Sequence, residues 1–425
     1  MDFQRSVLYV QLGWVMTNED WFPKHSVVNY LRLNAGYDIS GNDDISNYAA
    51  RTSLSTVRFN YDMTGLQLTN IGNDKIQWET NKKLNFGIMS YLFDNRLGVD
   101  FNYYINNISD LLTMMTFKNP IGGINNYWTN GGALQNTGFE LTVTGKPIVS
   151  GDWHMEVGAS IGHYSNKVKK LPNGDYTTSV YGDRNIITSV GNPIGLFYGY
   201  QTAGVFSTDA EAQVAGKDGY LYMLDNSGTA NQFKAGDVHF VDQNADGIIN
   251  EADKVIIGDP NPDLYGNIFA TVNWKHLTLD LGFNYSLGGD VYNYQRSILN
   301  SGATLYNQQV AEVNHWRYEG QQADLPRLCF GDPLGNNRFS DRWIEDGSYL
   351  RLKTINLAYQ LPIPGSWTWL QGLVIWAQAN NVITFTKYLG SDPEFSVGNS
   401  ALYQGIDVGN IAQGRSFQVG LKINL

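Results

Sequence analysis

Cysteine, clustered positive charge and long apolar runs are scarce in this sequence, and each absence excludes a class of protein. The 425 residues include one cysteine, Cys329, so neither an intramolecular disulfide framework nor a site of several thiolates can form. Runs of lysine or arginine are missing and the formal net charge is −11, which argues against nucleic acid and against a polybasic contact with anionic lipid. No apolar run approaches the ~18 residues of a membrane helix, so any crossing of a bilayer must use strands.

Signals for secretion and for catalysis are also missing. Residues 1–5 have neither a basic nor an apolar leader region, and we expect no secretory signal in this sequence. The six histidines show no His-x-x-x-His spacing, and no phosphate-binding glycine loop occurs. Carboxylates are frequent in the loops, but no spacing selects a catalytic pair. The sequence therefore predicts that the protein is not an enzyme.

What the sequence does contain is the pattern of long β-strands. Glycine (45), tyrosine (26) and tryptophan (11) are frequent, while only 16% of the residues are charged. Apolar residues alternate strictly with polar or small ones, for example over residues 277–287 and 417–425. Such segments run for about ten to twelve residues, as tilted membrane strands do, whereas strands in soluble proteins average about five or six. We predict eleven crossings, near residues 5–16, 27–37, 82–93, 96–106, 133–146, 152–163, 264–275, 277–288, 349–361, 371–384 and 414–425.

Short and long connections alternate between these predicted strands. The long ones cover residues 38–81, 107–132, 164–263, 289–348 and 385–413. Outer-membrane barrels have short periplasmic turns and longer extracellular loops, so the pattern places the carboxy terminus in the periplasm. The count of crossings is odd and starts outside, whereas complete bacterial barrels have even counts. We therefore predict an all-β fold, a partial transmembrane antiparallel β-barrel whose first strands are absent from residues 1–425 and which does not fold stably alone.

One predicted strand interrupts its own alternation. Apolar residues lie at Leu350 and Leu352 and then at Ile355, Leu357 and Tyr359, a slip of one residue. A β-bulge near Lys353 and Thr354 would restore the apolar face.

Within the long segment 164–263, residues 242–253 fit the twelve-position calcium loop. A hard cation needs several oxygen atoms that converge on one point, and Gly247 provides the sharp turn between them. The sequence departs from the pattern at its last position, where Asp253 replaces the usual Glu. The shorter side chain would weaken the site. The alternative is an Asx-rich turn that holds no metal. The predicted calcium ligands are Asp242, Asn244, Asp246, Ile248 through its carbonyl, Asn250 and Asp253.

Several short motifs are distributed along nearly the whole chain, at residues 76–80, 135–140, 191–195 with 197–200, 236–238, 257–260, 344–351, and 380–381 with 384–388 before 392–394. These stretches, in this order, resemble signature segments of the SusC/RagA family of TonB-dependent transporters. The last strand, with its polar and then apolar ending, also resembles the signal by which such barrels are recognised for insertion.

This resemblance implies a plugged outer-membrane barrel of a Gram-negative bacterium that imports oligosaccharides, or in some members peptides. It implies a SusD-like surface lipoprotein as a partner, and a TonB complex that acts through an amino-terminal segment. That segment and the plug match nothing in residues 1–425, which would form the carboxy-terminal half of the barrel.

A second function class remains open from the residues alone. The same strands and calcium loop are compatible with a secreted calcium-binding β-protein, an adhesin or a glycan-binding module. The two hypotheses differ in what covers Leu279, Leu281 and Phe283, because a barrel exposes them to lipid and a soluble sandwich buries them against a second sheet.

Overall fold

The computed structural model describes residues 7–424 except 24–26, 60–62, 122–123, 182–183, 215–218, 220, 225–227, 365, 367–368, 396 and 399. Strands dominate this part of the chain, and its α-helices are the short segments Asp209–Val214 and Tyr294–Leu299. Neither helix has the length and apolar character needed to cross a membrane. Contacts divide the chain into two compact units. Unit 1 is residues 1–175, 189–193 and 266–275, and unit 2 is residues 176–188, 194–265 and 276–425.

Eleven strands form one large sheet, in which each strand pairs with the next one along the chain. All eleven predicted strands are confirmed. The strands are β1 (Leu8–Val15), β2 (Val28–Asn42), β3 (Glu79–Leu92), β4 (Leu97–Ser109), β5 (Ala133–Ser150), β6 (Trp153–Lys170), β7 (Leu264–Trp274), β8 (Leu277–Leu287), β9 (Tyr349–Leu361), β10 (Gly372–Thr386) and β11 (Ser416–Asn424).

The predicted ends differ from the observed ends chiefly in three strands. β2, β5 and β6 continue for several residues beyond their predicted last residues, 37, 146 and 163. Residues 164–170, which the sequence assigned to a long loop, are therefore part of β6. They lack strict alternation but continue the ladder with β5. The predicted strand residues 5, 6 and 425 lie outside the described residues.

The registers of β2 to β6 separate the sheet into two chemically different faces. One row across these strands is apolar, and the next row, on the opposite face, is polar or small. The apolar row contains Leu33, Ile88, Phe101, Leu141 and Ile161, and the next contains Asn34, Gly87, Asn102, Glu140 and Gly162.

The strands β8 to β11 repeat this division. Leu279 lies in register with Leu357, Ala377 and Val419, whereas Asp280 lies in register with Asn356, Gln378 and Gln418. The period-two pattern in the sequence thus predicted the two faces correctly.

The short connections between strands are tight turns. Between β3 and β4, Asp94 and Asn95 have φ of 56° and 62°, the left-handed conformation that such turns need and that Asp and Asn tolerate. Lys275, between β7 and β8, has φ of 52°.

The predicted bulge in β9 is present. Leu352 pairs with Phe283 and Thr354 with Gly282, so Lys353 has no partner of its own on β8. The register with β10 shifts at the same point. The extra residue explains why the apolar positions slip there while the apolar face continues.

The long connections carry small sheets of their own. Two hairpins, Ser53–Phe59 with Met63–Asn70 and Leu112–Ile121 with Ile124–Asn130, extend from unit 1. A four-stranded sheet is built from Tyr176–Val180, Arg184–Thr188, Leu196–Tyr200 and Lys254–Gly258. Smaller sheets pair Thr202–Val205 with Val238–Phe240, join Tyr222–Leu224 to Ala230–Gln232 and Ile248–Ile249, and join Asp290–Asn293 to Ile344–Asp346 and Ile406–Asp407. Single 3-10 turns lie at Met16–Asn18, Glu251–Asp253, Val310–Asn314, Asp341–Trp343 and Ala401–Tyr403.

The best-buried apolar side chains of unit 2 belong to these connections and not to the large sheet. One core cluster contains Phe206, Met223, Phe233, Phe240 and Ile249 among others. A second contains Phe197, Tyr292, Phe339, Trp343 and Ile406 among others. The connections of unit 2 therefore fold as a packed body.

Candidate functional site

The apolar face of the large sheet is exposed in the structure. Ile88, Leu357, Ile375 and Phe385, which lie on β3, β9 and β10, are each more than two fifths exposed (43%, 44%, 44% and 58%). A soluble sheet normally buries such a face against another layer, whereas a transmembrane barrel presents it to lipid. The arrangement is that of a membrane surface.

Two tryptophans mark the end of this surface near the short turns. Trp153, at the start of β6, and Trp274, at the end of β7, stack with ring centroids 5.5 Å apart. The ammonium group of Lys275 lies 5.9 Å from the Trp274 ring centroid. Aromatic girdles with adjacent cations are typical of the level at which a barrel leaves the hydrocarbon.

Two of the resembling motifs meet at the end of β9 that leads to the long connections. The guanidinium of Arg351, 2% exposed, donates to Asp392 and also lies 3.1 Å from Glu394. The ammonium of Lys353 lies 3.3 Å from the same Glu394 carboxylate. Residues 344–351 and 392–394 are far apart in sequence, and this ion cluster is the contact that unites them.

Asp392 is held in place from several sides. Burial by itself would raise the pKa of this carboxyl group, but N–H donors from Gln413 and Glu394 and the Arg351 guanidinium lower it below its ordinary value. The connection 387–415 is further fixed by Tyr388, whose hydroxyl donates to Asp407 over 2.6 Å. Burial and this bond to a carboxylate raise the pKa of Tyr388.

A second motif residue, Asp237, lies at the centre of another buried network. It is fully buried and accepts two hydrogen bonds from Arg327, at 2.8 and 3.0 Å. Asn336 and the backbone N–H of Lys234 also donate to it. A buried carboxylate needs this set of donors, and here it joins residues 234–238 to residues 327–336.

The predicted calcium loop has the expected turn. Ala245 and Gly247 have φ of 58° and 82°. Asp242 accepts the N–H of Gly247 over 2.7 Å, and Asp246 accepts the N–H of Ile248 over 2.8 Å. A carboxylate has about four acceptor positions on two oxygens, so these bonds leave others available to a cation.

The last predicted ligand is differently engaged. Asp253 is fully buried, and its two oxygens accept the N–H groups of Gln243 and Asn250 at 2.9 and 2.8 Å. Within the described residues, no group of three or more His, Cys, Asp or Glu side chains is arranged to hold a metal. The turn therefore brings Asp242, Asn244 and Asp246 together. Asp253 instead binds backbone N–H groups of the same loop. Calcium binding stays a prediction.

Residues 158–162 match the Gly-x-Ser-x-Gly pattern of hydrolase nucleophiles in sequence. They lie inside β6, paired to β5 throughout, and not at a turn from a strand to a helix. The strained turn that exposes a nucleophilic serine is therefore missing at this position.

Sequence reasoning identified the motifs but not the contacts between them. The sequence did not single out Arg351 or Asp237 within their motifs, because a buried network of charged side chains has no local sequence signal. The one available indication was that charged residues recur inside motifs that are otherwise apolar or small.

Comparisons with known proteins agree with this geometry. TonB-dependent receptor P3 of Formosa agariphila is 31% identical over 97% of this chain and 41% of its own length. TonB-dependent receptor SusC of Bacteroides thetaiotaomicron is 24% identical over 97% of the chain and 39% of its own length. No protein-family model matches the sequence.

Solved structures show the same fold. The RagAB peptide importer in its closed-closed state superposes with a TM-score of 0.79 and 24% identity, and the match covers 98% of this chain and 43% of that one. These relatives are receptors and importers and not enzymes, in agreement with the prediction from the sequence.

The chain spans about two fifths of the length of the relatives it matches. The likeness extends over almost all of its own length and therefore includes the eleven-stranded sheet. The resemblance is therefore confirmed: over nearly its whole length the chain is similar to a segment of TonB-dependent receptors, SusC among them, and it has the fold of part of the RagAB importer.

Proposed function

We propose that this chain supplies barrel wall and outer connections to a TonB-dependent importer in the outer membrane of a Gram-negative bacterium. The observation that carries the proposal is the eleven-stranded sheet, whose apolar face is exposed and is not covered by a second layer in the described residues. A sheet of this kind is stable when lipid covers the apolar face. The chain forms part of the wall of the importer, with its long connections outside the cell and its carboxy terminus in the periplasm.

The substrate is an oligosaccharide or a peptide, and a SusD-like lipoprotein is the outer partner. The support is the likeness to SusC and to the RagAB peptide importer. Coupling to the TonB complex uses a plug and an amino-terminal segment of the complete protein.

The experiment is a fractionation combined with an uptake assay on the complete gene product. The protein should appear in the outer-membrane fraction, and deletion of its gene should abolish uptake of one class of labelled oligosaccharide or peptide. A wild-type uptake rate in the deletion strain for every class tested would contradict import.

The alternative, a secreted calcium-binding adhesin or glycan-binding module, predicts a different behaviour. Such a protein would be soluble and monomeric without detergent. The exposed apolar rows of β3 and of β9 to β11 favour the importer, because water-exposed patches of this extent are rare in soluble monomers.

We further propose that residues 242–253 bind Ca²⁺ as a structural ion that orders the connection between β6 and β7. Support comes from the turn geometry and from the oxygens of Asp242, Asn244 and Asp246, which face the same short turn. Extracellular calcium modules work in the ~10⁻⁴–10⁻³ M range, so a shortened last ligand does not prevent occupancy outside the cell.

Calcium titration of the complete protein tests this site. After removal of divalent ions, isothermal titration with CaCl₂ should show binding that Asp246→Ala abolishes. Asp324→Ala, an exposed acid in another connection, is the matched control and should leave binding unchanged. Absence of any calcium binding by the unaltered protein would refute the proposal.

A further inference from the structure

Three tyrosines from three different outer connections meet in unit 2. Tyr181 follows the strand Tyr176–Val180, Tyr294 begins the helix Tyr294–Leu299, and Tyr403 ends the 3-10 turn Ala401–Tyr403. The ring centroids of Tyr181 and Tyr294 are 5.7 Å apart, and those of Tyr181 and Tyr403 are 6.2 Å apart. We call Tyr181, Tyr294 and Tyr403 the tyrosine triad.

The triad rests on a rigid base. Tyr294 contacts Tyr292, with ring centroids 5.9 Å apart, and Tyr292 is 1% exposed within the second core cluster. Tyr292 in turn packs edge-on against Phe339 and Phe197. Because the layer below is buried, packing fixes the ring of Tyr294, and Tyr181 rests against that ring.

The triad nevertheless remains open to solvent. Tyr181 and Tyr403 are 37% and 39% exposed. Among the described residues, no hydrogen bond involves the hydroxyl group of any of the three tyrosines. A tyrosine that only fills a core usually finds a partner for its hydroxyl, whereas one that binds a ligand presents both a ring face and a free hydroxyl.

The backbone at Tyr181 also points to a constrained position. Its φ is 49°, in the left-handed region that is uncommon for a bulky residue. Such a conformation persists where the surrounding structure holds it, and such positions concentrate in ligand-binding loops.

The chemistry of the triad selects the ligand. The three residues are uncharged, and the chain as a whole carries a formal charge of −11, so an anionic ligand is disfavoured. The rings are inclined to one another, by 43° between Tyr181 and Tyr294 and by 67° between Tyr181 and Tyr403, so they form an angled amphipathic surface. One ring face can stack on the apolar C–H face of a neutral sugar ring while the neighbouring hydroxyl groups bond to the sugar hydroxyls. A charged peptide would need ionic partners that the triad lacks.

We propose that the tyrosine triad is a stacking platform for a neutral oligosaccharide at the outer mouth of the importer. The inference rests on the proposed function and names the substrate class among the two that the function leaves open. Convergence of three connections on one platform also means that a bound sugar would hold these connections together.

The test is binding by the complete protein in detergent. The probes are neutral hexasaccharides of α-1,4-linked glucose, β-1,3-linked glucose and β-1,4-linked xylose, with a mixture of uncharged peptides as the second arm. At least one hexasaccharide should bind. Tyr403→Ala and Tyr181→Ala should each weaken its binding about three- to tenfold, the value of one aromatic stacking contact.

Two further variants separate stacking from folding. Tyr403→Phe keeps the ring and should retain most of the affinity. Tyr176→Ala removes a tyrosine that is 49% exposed in the same hairpin but outside the triad, and should leave binding unchanged. If none of the hexasaccharides binds, or if Tyr176→Ala and Tyr403→Ala weaken binding equally, the platform is refuted.

Failure of the platform is distinguishable from failure of import. Uptake that depends on the gene but is unaffected by Tyr181→Ala and by Tyr403→Ala would overturn the role of the triad and leave the proposed import intact. Peptide binding without hexasaccharide binding would do the same.

Discussion

At the scale of single residues, the structure explains why one motif has glycine at position 138. Gly138 belongs to the stretch 135–140 and lies in β5. A Cβ atom at this position would approach the Tyr104 hydroxyl to 2.5 Å and the carbonyl oxygen of His163 to 2.6 Å. Glycine is therefore required because a neighbouring ring and a neighbouring strand occupy the space of a side chain.

Gly138→Ala should accordingly destabilise the barrel by about 1–3 kcal/mol, because the backbone carbonyl of β6 cannot move away without breaking the ladder. Gly145→Ala, in the same strand, is the matched control, since its Cβ would meet nothing closer than 3.9 Å. Urea unfolding of the complete protein in lipid vesicles would measure both. Equal stability of the two variants would contradict the argument.

The ion cluster at Arg351 leads to a prediction about the connection 387–415. Arg351→Ala leaves Asp392 buried without its cation, which typically costs about 3–5 kcal/mol. Limited proteolysis of the complete protein should therefore cleave within 387–415 much faster. Lys353→Ala removes a partly exposed cation (32%) from the same cluster and should cost at most about 1 kcal/mol.

The pH dependence of this contact follows from the lowered pKa of Asp392. A carboxyl group with a depressed pKa in the folded state stabilises fully above its ordinary value of 3.8 and loses that contribution as the pH falls through the folded value. Protection of 387–415 should thus be constant at neutral pH and should fall only below 3.8. Loss of protection near neutral pH would show that another group controls the connection.

At the scale of the strands, the two faces of the sheet should respond oppositely to charge. Leu281 lies on the apolar face of β8, in register with Ile355, Ala379 and Phe417. Leu281→Arg should cost about 2–4 kcal/mol in a bilayer folding assay, as lipid-facing cations near the midplane do.

The control for this variant is on the same strand. Thr278 lies on the opposite face, in register with Ala358 and Trp376, so Thr278→Arg should be tolerated far better. A similar cost for the two variants would mean that both faces are buried in protein, as the soluble alternative requires.

At the scale of the whole molecule, the two end strands decide whether residues 1–425 are self-sufficient. In the described sheet, β1 and β11 each pair with one neighbour. An unpaired strand edge in lipid leaves backbone groups unsatisfied at several kcal/mol each. We expect these residues, expressed alone and refolded in detergent, to give no folded species that migrates differently before and after boiling in gel electrophoresis. A compact, protease-resistant monomer would contradict this expectation.

Much of the fold could be predicted from the sequence because strand alternation is a local property. All eleven strands of the large sheet follow from it, and even the bulge at Lys353 is visible as a slip in the apolar positions. The small sheets of unit 2 could not be predicted, since their strands of two to five residues carry too little pattern to stand out.

The sequence by itself determined the two-faced wall, since each residue's face follows from its parity along a strand. Only the tertiary structure decided which distant residues meet: Arg351 with Asp392, Asp237 with Arg327, and the three tyrosines of the triad. The physical reason is that these contacts join separate connections, and their partners are chosen by how the connections pack and not by their spacing along the chain.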